Sequence, residues 1–254
     1  MVKRFALALG VASMALLASC GGKSGQTGNG QAPTAAPGSV AAKPAPAGQN
    51  WTDVVRKTAE GGFVMGNPDA PLKLIEYGAR TCPHCAHFDA EGLPALKSKY
   101  IASGKVSYEF RDYPVHDALD IGPILLGQCV EPAQFFPMLD QMMANQDKLI
   151  GDIQTKITPA DQAALQTKSP NEVATTLAEK LGYLDFVKQR GVPEAKARAC
   201  LGDKAALETL AKNLQTANTQ FQVSSTPTFI LNGAKLDSVD TWEKLEPALK
   251  NAGA

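Results

Sequence analysis

The sequence lacks a charge excess of either sign: 25 Lys and Arg stand against 25 Asp and Glu. A balanced chain of this kind offers no basic field for a polyanion, and no nucleic-acid partner is implied. Aromatic residues are sparse, at 6%, and no internal repeat is evident. The apolar run from Phe5 to Leu17 is shorter than the ~20 residues a membrane-spanning helix needs. Cysteine and histidine are scarce, at five and three in 254 residues. No second Cys or His pair stands at zinc-finger spacing, so the reading needs no metal and no organic cofactor.

At the N-terminus, Lys3 and Arg4 precede the Phe5–Leu17 run, which ends in Leu17-Ala18-Ser19-Cys20. This pattern reads as a signal peptide over residues 1–19. Cys20 directly after Leu-Ala-Ser resembles a bacterial lipoprotein cleavage site, with lipid on the new N-terminal Cys tethering the chain to a membrane. An ordinary secretory signal cut near Ser19 and a short anchor are the alternatives. Gly21 in place of Asp leans toward the outer membrane. Loss of Lys3 and Arg4 leaves a net charge near −2. Residues 20–50 hold almost only Gly, Ala, Pro, Ser, Thr, Gln and Asn, with Lys23 and Lys43 the only charges. Such a stretch predicts a disordered linker with a mean reach of about 30 Å.

The centre of the sequence is Cys82-Pro83-His84-Cys85. Leu72, Leu74, Ile75 and Tyr77 before it form an apolar run that predicts a buried strand. Gly78 to Thr81 reads as a turn. A helix begins at Pro83, where a missing N–H costs nothing, and Pro94 kinks it. Cys82 then sits at a helix N-terminus, where backbone N–H groups and the helix dipole favour thiolate. A thiolate attacks disulfides, and a low thiol pKa makes a good leaving group. His84 is placed to donate a hydrogen bond or partial positive charge to it. Cys85, one turn on and more buried, resolves the mixed disulfide. Half of a zinc site with His87 and a purely structural disulfide are the competing accounts of this C-x-x-C.

Elsewhere, Trp51 to Thr58 predicts a short amphipathic helix and Phe63-Val64-Met65 a first edge strand. Glu76, six residues before Cys82, either faces solvent or is a buried carboxylate that titrates high. Val106 to Phe110 completes a β-α-β unit, parallel to the Leu72 strand. Arg111, Asp112, Tyr113 and His116 read as a solvated loop with no role. Helical patterns run from Asp117 to about Gln222, with cap-Pro-x-acid starts at Thr158 and Ser169. Phe135, Phe136, Met138, Met142 and Met143 read as core, or as a soft apolar lip of a groove. Cys129 and Cys200 are expected to pair in an exported protein, worth roughly 4 kcal/mol for a loop of this length. Buried free thiols and a second redox-active pair are the alternatives. Phe229 to Leu236 with Asn232-Gly233 predicts a hairpin, and Val239 to Lys250 a closing amphipathic helix.

Cys82-Pro83-His84-Cys85, the Gly66-Asn67-Pro68-Asp69-Ala70-Pro71 lead-in and Thr226-Pro227-Thr228 together resemble a DsbA-like thiol:disulfide oxidoreductase, from about Gly61 to the C-terminus. The resemblance implies an α/β, thioredoxin-like fold over residues 51–116 and 223–254, with a helical subdomain at 117–222 inserted over the active-site face. It implies a cis bond at Pro227 beside the dithiol, leaving nearby backbone free to pair with a peptide, and a Glu76 that relays protons to Cys85. It further implies unfolded exported proteins with free thiols as substrates, a membrane quinone-linked DsbB-type reoxidant, and a monomer. Thr226 stands where the most oxidising relatives often carry Val and isomerase-like ones Thr. An isomerase or reductase therefore stays beside the oxidase as an alternative, as does a non-catalytic, lipid-anchored peptide-binding protein.

Overall fold

The computed structural model describes residues 38–254. The signal peptide, Cys20 and the linker up to residue 37 lie outside the described residues. Six strands form one sheet: β1 (Val55–Lys57), β2 (Phe63–Met65), β3 (Leu72–Gly78), β4 (Val106–Asp112), β5 (Thr228–Leu231) and β6 (Ala234–Lys235). Their order across the sheet is β1-β2-β4-β3-β5-β6. β3 and β4 pair in parallel, with Glu76 opposite Phe110, and every other pairing is antiparallel. The central strands are largely buried on both faces, as in a sheet covered on both sides.

Helices α1 (Pro83–Glu91) and α2 (Leu93–Ala95) follow β3, and a wide π turn at Leu96–Ile101 leads to β4. The break expected at Pro94 falls at Gly92, whose buried backbone closes α1 through Phe88. Nine helices separate β4 from β5. They are α3 (Ala118–Gly127), α4 (Phe135–Ala144), α5 (Gln146–Ile150), α6 (Ile153–Lys156), α7 (Pro159–Leu165), α8 (Pro170–Lys180), α9 (Tyr183–Lys188), α10 (Glu194–Leu201) and α11 (Lys204–Gln220). The last helix, α12 (Trp242–Asn251), buries Leu245 and Leu249. In α7 and α8 the acidic third residue reaches back to the cap N–H, Asp161 to Thr158 at 3.0 Å and Glu172 to Ser169 at 2.9 Å. A disulfide joins Cys129, just after α3, to Cys200 in α10, with 6.0 Å between their Cα atoms.

Helix α4 belongs to two cores at once. Phe135 and Phe136 enter the sheet core, where Phe135 stacks on Phe63 at 3.8 Å, while Met138 and Met142 pack among the helices. All four are buried, so the Phe/Met cluster is interior and not the lip of a groove.

Three expectations need correction. Trp51 to Thr58 is not a helix: only Trp51–Asp53 makes a 3-10 turn, and Val55–Lys57 continues as strand β1. β-Branched Val54 and Val55 favour extended backbone, and the turn from Thr58 to Gly62 folds the chain back onto β2. β2 is consequently interior to the sheet, with β1 at the edge. Nor is the segment before Arg56 a free linker as far as residue 50, because residues 38–50 lie against the domain. Val40 donates to the Gly253 carbonyl at 2.8 Å and Lys43 to the Ser103 carbonyl at 3.1 Å. Trp51, itself buried, donates its indole N–H to the Lys43 carbonyl at 2.6 Å. A stretch too polar to form a core has borrowed one, with Val40 and Ala45 packed on the sheet cluster. Gly104, at φ +75°, leaves the space that the Lys43 carbonyl fills. This strap meets the start of β4 and Asp69 before β3, the opposite end of the sheet from Cys82. Finally, Asp112 and Tyr113 are buried, not solvated. Asp112 pairs with buried Arg80, and the Tyr113 hydroxyl donates to Asn218 or to the Val223 carbonyl, at 3.0 and 3.2 Å.

Trp51→Ala is expected to cost about 3–4 kcal/mol of unfolding free energy and to open residues 38–50 to limited proteolysis. Denaturant melts and timed digestion of the two proteins measure both effects.

Candidate active site

β3 ends at Gly78, and a turn closed by the Cys82 N–H on the Ala79 carbonyl, at 3.1 Å, delivers Cys82 to the start of α1. Gly78 is required by crowding: a Cβ there would stand 2.5 Å from the Phe110 ring and 2.9 Å from Glu76 Oε1. Cys82 has the extended backbone of a helix cap, and Pro83 occupies the first helical position. Both thiols are free, Cys82 at 5% exposure and Cys85 at 1%.

Their environments push the two sulfurs apart. The Cys82 thiol falls to about 5, chiefly through a hydrogen bond from the Cys85 thiol, with further donors at Thr226 and at the backbone N–H groups of Cys85 and His84 outweighing burial. Burial drives the Cys85 thiol well up, and its bond to Cys82 adds to the rise. Near neutral pH the pair is therefore one thiolate and one thiol, hydrogen-bonded to each other.

The other sequence-selected residues fall as follows. Pro83 and His84 are exposed. Among the described residues the His84 ring makes no hydrogen bond to Cys82, so residue 84 acts on the sulfur through its backbone N–H. His87 faces Glu91 at 3.3 Å on the outer side of α1, away from both sulfurs. The Thr226–Pro227 bond is cis, and Cys82 Sγ lies 3.3 Å from the Thr226 carbonyl oxygen. The Thr226 hydroxyl is buried and has no hydrogen-bond partner among the described residues. Glu76 is buried at 1% exposure and accepts from the Tyr108 hydroxyl at 2.7 Å. Burial pushes its carboxyl up to about 8, with Asp89 and the Cys82 charge adding to the rise. Cys129 and Cys200 belong to the helical part, apart from the dithiol.

Several contributors escape sequence reasoning. Arg80, two residues before Cys82, is wholly buried, paired with Asp112, and lies over the rings of Phe135 and Phe110 at 5.3 and 5.8 Å. Thr81 donates to Asp120 at 2.5 Å and meets His116 Nδ1 at 2.7 Å. Asp89, one turn past Cys85, is pushed to about 7 by burial and then by Asp140 of α4. The one visible signal was an arginine in a turn flanked by apolar strands.

A parallel β-α-β unit with a split thiol pair at the helix start, facing a cis-proline loop, defines the thioredoxin-like dithiol proteins. The thioredoxin family model matches residues 58–251, and the chain belongs to that family. A solved protein-disulfide isomerase from Novosphingobium aromaticivorans is 30% identical, with a TM-score of 0.71 over 76% of this chain and 97% of its own. Wolbachia pipientis alpha-DsbA1, at 20% identity, shares the fold with a TM-score of 0.56 over 75% of this chain and 89% of its own. A Rickettsia bellii protein, provisionally named a protein-disulfide oxidoreductase, is 27% identical over 73% of this chain and 62% of its own length. The chain thus spans about three-fifths of that curated relative. The fold and the position of the dithiol are thus those of the thioredoxin family.

Two outcomes follow from the split titration. In the reduced protein, the alkylation rate of Cys82 by iodoacetamide is expected to rise through a midpoint near pH 5, while Cys85 stays unlabelled until the protein is denatured. Glu76 has a folded pKa above its unfolded one, so its neutral form stabilises the fold below about pH 4.5, and that contribution is lost as pH rises through about 8. Glu76→Gln should then match wild type at pH 4.5 and exceed it by a few kcal/mol, roughly 2–4, at pH 9. Urea melts of both reduced proteins across that range provide the check.

Proposed function

We propose that this protein introduces disulfides into exported proteins by dithiol–disulfide exchange, with Cys82 as the exchanging sulfur. The observation that carries this reading is the donor set around Cys82: a stabilised thiolate stabilises the reduced protein and leaves its disulfide oxidising. A substrate thiolate attacks Cys82 Sγ of the Cys82–Cys85 disulfide, forming the mixed disulfide and releasing Cys85 as thiolate. Cys85 takes a proton, for which buried, largely neutral Glu76 is the nearby source. A second substrate thiolate then attacks the substrate sulfur of the mixed disulfide, and Cys82 departs as a good leaving group. Two electrons pass from the substrate dithiol to the protein's disulfide, and no cofactor takes part. The backbone of the loop leading into Pro227, exposed at Ser224 and Ser225, holds the substrate chain, and the helical part at 117–222 stands over that face.

Reoxidation belongs to a membrane quinone-linked partner of the DsbB type. The leader at residues 1–19 and Cys20 support export and lipid anchoring on the periplasmic side of a bacterial membrane, the outer one by the Gly21 criterion. Among the described residues no helix is long and apolar enough to cross a membrane.

A second reading, disulfide isomerase, is favoured by Thr226 and by the 30% identity to the Novosphingobium aromaticivorans protein-disulfide isomerase. The two separate on substrate. Oxidised protein mixed with reduced, unfolded ribonuclease is expected to transfer its disulfide stoichiometrically, and Cys82→Ala to abolish transfer. If the reduced protein instead reactivates scrambled ribonuclease while the oxidised form leaves the reduced substrate unchanged, the oxidase reading fails. Inertness in both assays would leave peptide binding alone.

A further inference from the structure

We infer that Gln146 is a positioning residue for Cys82, tying the nucleophile's turn to the helical segment between β4 and β5 and thereby setting how readily Cys82 ionises. Gln146 opens α5 and is 7% exposed. Its side-chain nitrogen donates to the Arg80 carbonyl at 2.9 Å and to the Cys82 carbonyl at 3.0 Å. Among the described residues the Arg80 carbonyl has no other hydrogen bond. Thr81, between these two carbonyls, is held by Asp120 of α3. Three consecutive residues before the helix are therefore fixed from outside the β-α-β unit.

The geometry gives the amide a chemical task. The N–H groups of His84 and Cys85 stabilise the sulfur only while the peptide unit joining Cys82 to Pro83 keeps its orientation. Pro83 contributes no N–H to that unit. Its carbonyl is the only handle, and it is gripped by the Ala86 N–H at 3.1 Å and by Gln146. A neutral amide with two donors suits the position: it satisfies two buried carbonyls and places no charge beside a thiolate. A carboxylate there would face both oxygens with like charge, and an aliphatic side chain would leave the Arg80 carbonyl buried and unpaired.

The assignment rests on Cys82 being the stabilised thiolate, and one experiment separates the two claims. The rate of iodoacetamide alkylation is followed against pH for reduced full-length wild type, Gln146→Met and Gln146→Asn. Met keeps the length and removes the donors, whereas Asn keeps the amide one methylene too short to span both carbonyls. Both variants are expected to raise the Cys82 midpoint by about half a pH unit or more, about a threefold loss of thiolate below the midpoint. An unchanged midpoint in a cooperatively melting variant, even with a lowered melting temperature, reduces Gln146 to packing and overturns the assignment. Should the Met variant not fold, the Asn variant is read by the same rule. The absolute wild-type midpoint tests the thiolate, and the difference between proteins tests Gln146, so either claim can fail alone.

Discussion

A sulfur that ionises near pH 5 must be met by donors already in place, because burial by itself opposes the charge. At Cys82 those donors are the Cys85 thiol, Thr226 and two backbone N–H groups at the start of α1. Each comes from a different structural cause. The N–H groups exist because a helix begins immediately after β3, where its first turn has no internal acceptors. The Cys85 thiol arrives by the pitch of that same helix. Thr226 arrives because β5 pairs antiparallel to β3, which brings the loop before β5 to the mouth of the β3–α1 turn. Remove any of these arrangements and the remaining sheet is an ordinary α/β scaffold.

The second constraint is asymmetry between two cysteines only three residues apart. Both sulfurs lie in the cluster that holds Phe88, Phe110 and Phe229, Cys82 at 5% exposure beside Thr226 and Cys85 deeper at 1%. Burial that disfavours charge on Cys85 also acts on Glu76, and Glu76 in turn raises the Cys85 thiol further. Glu76, hydrogen-bonded to Tyr108, is thereby a buried acid that holds its proton at neutral pH beside the dithiol.

What could be read from the sequence was local. The strand before Cys82, the helix after it, the Asn232-Gly233 hairpin and the capped starts of α7 and α8 all depend on neighbours a few residues away, and each lies where expected. The parallel pairing of β3 and β4 follows from a β-α-β unit and was equally accessible. Contributions from distant segments were invisible. Residues 38–50 have a linker's composition, and only the Trp51 indole and the space at Gly104 make them a strap. Asp112 looked solvated because its partner, Arg80, lies 32 positions earlier. Gln146 carries no sequence signal, since a glutamine at the start of a short helix is unremarked without the two carbonyls it meets. At His84 sequence logic chose the ring, whereas the contribution to Cys82 comes from the backbone N–H.

The central claim is that the surroundings of Cys82 store their stabilisation in the reduced protein. Its most direct test is the equilibrium reduction potential of the Cys82–Cys85 couple at pH 7 in glutathione buffers, with Cys129 and Cys200 kept as a disulfide. A thiol that ionises two units below that pH favours the reduced form about a hundredfold over an ordinary one, about 60 mV for a two-electron couple. The account predicts a potential more oxidising than the glutathione couple by about that margin or more. A reducing value near that of thioredoxin, about −270 mV, would contradict it.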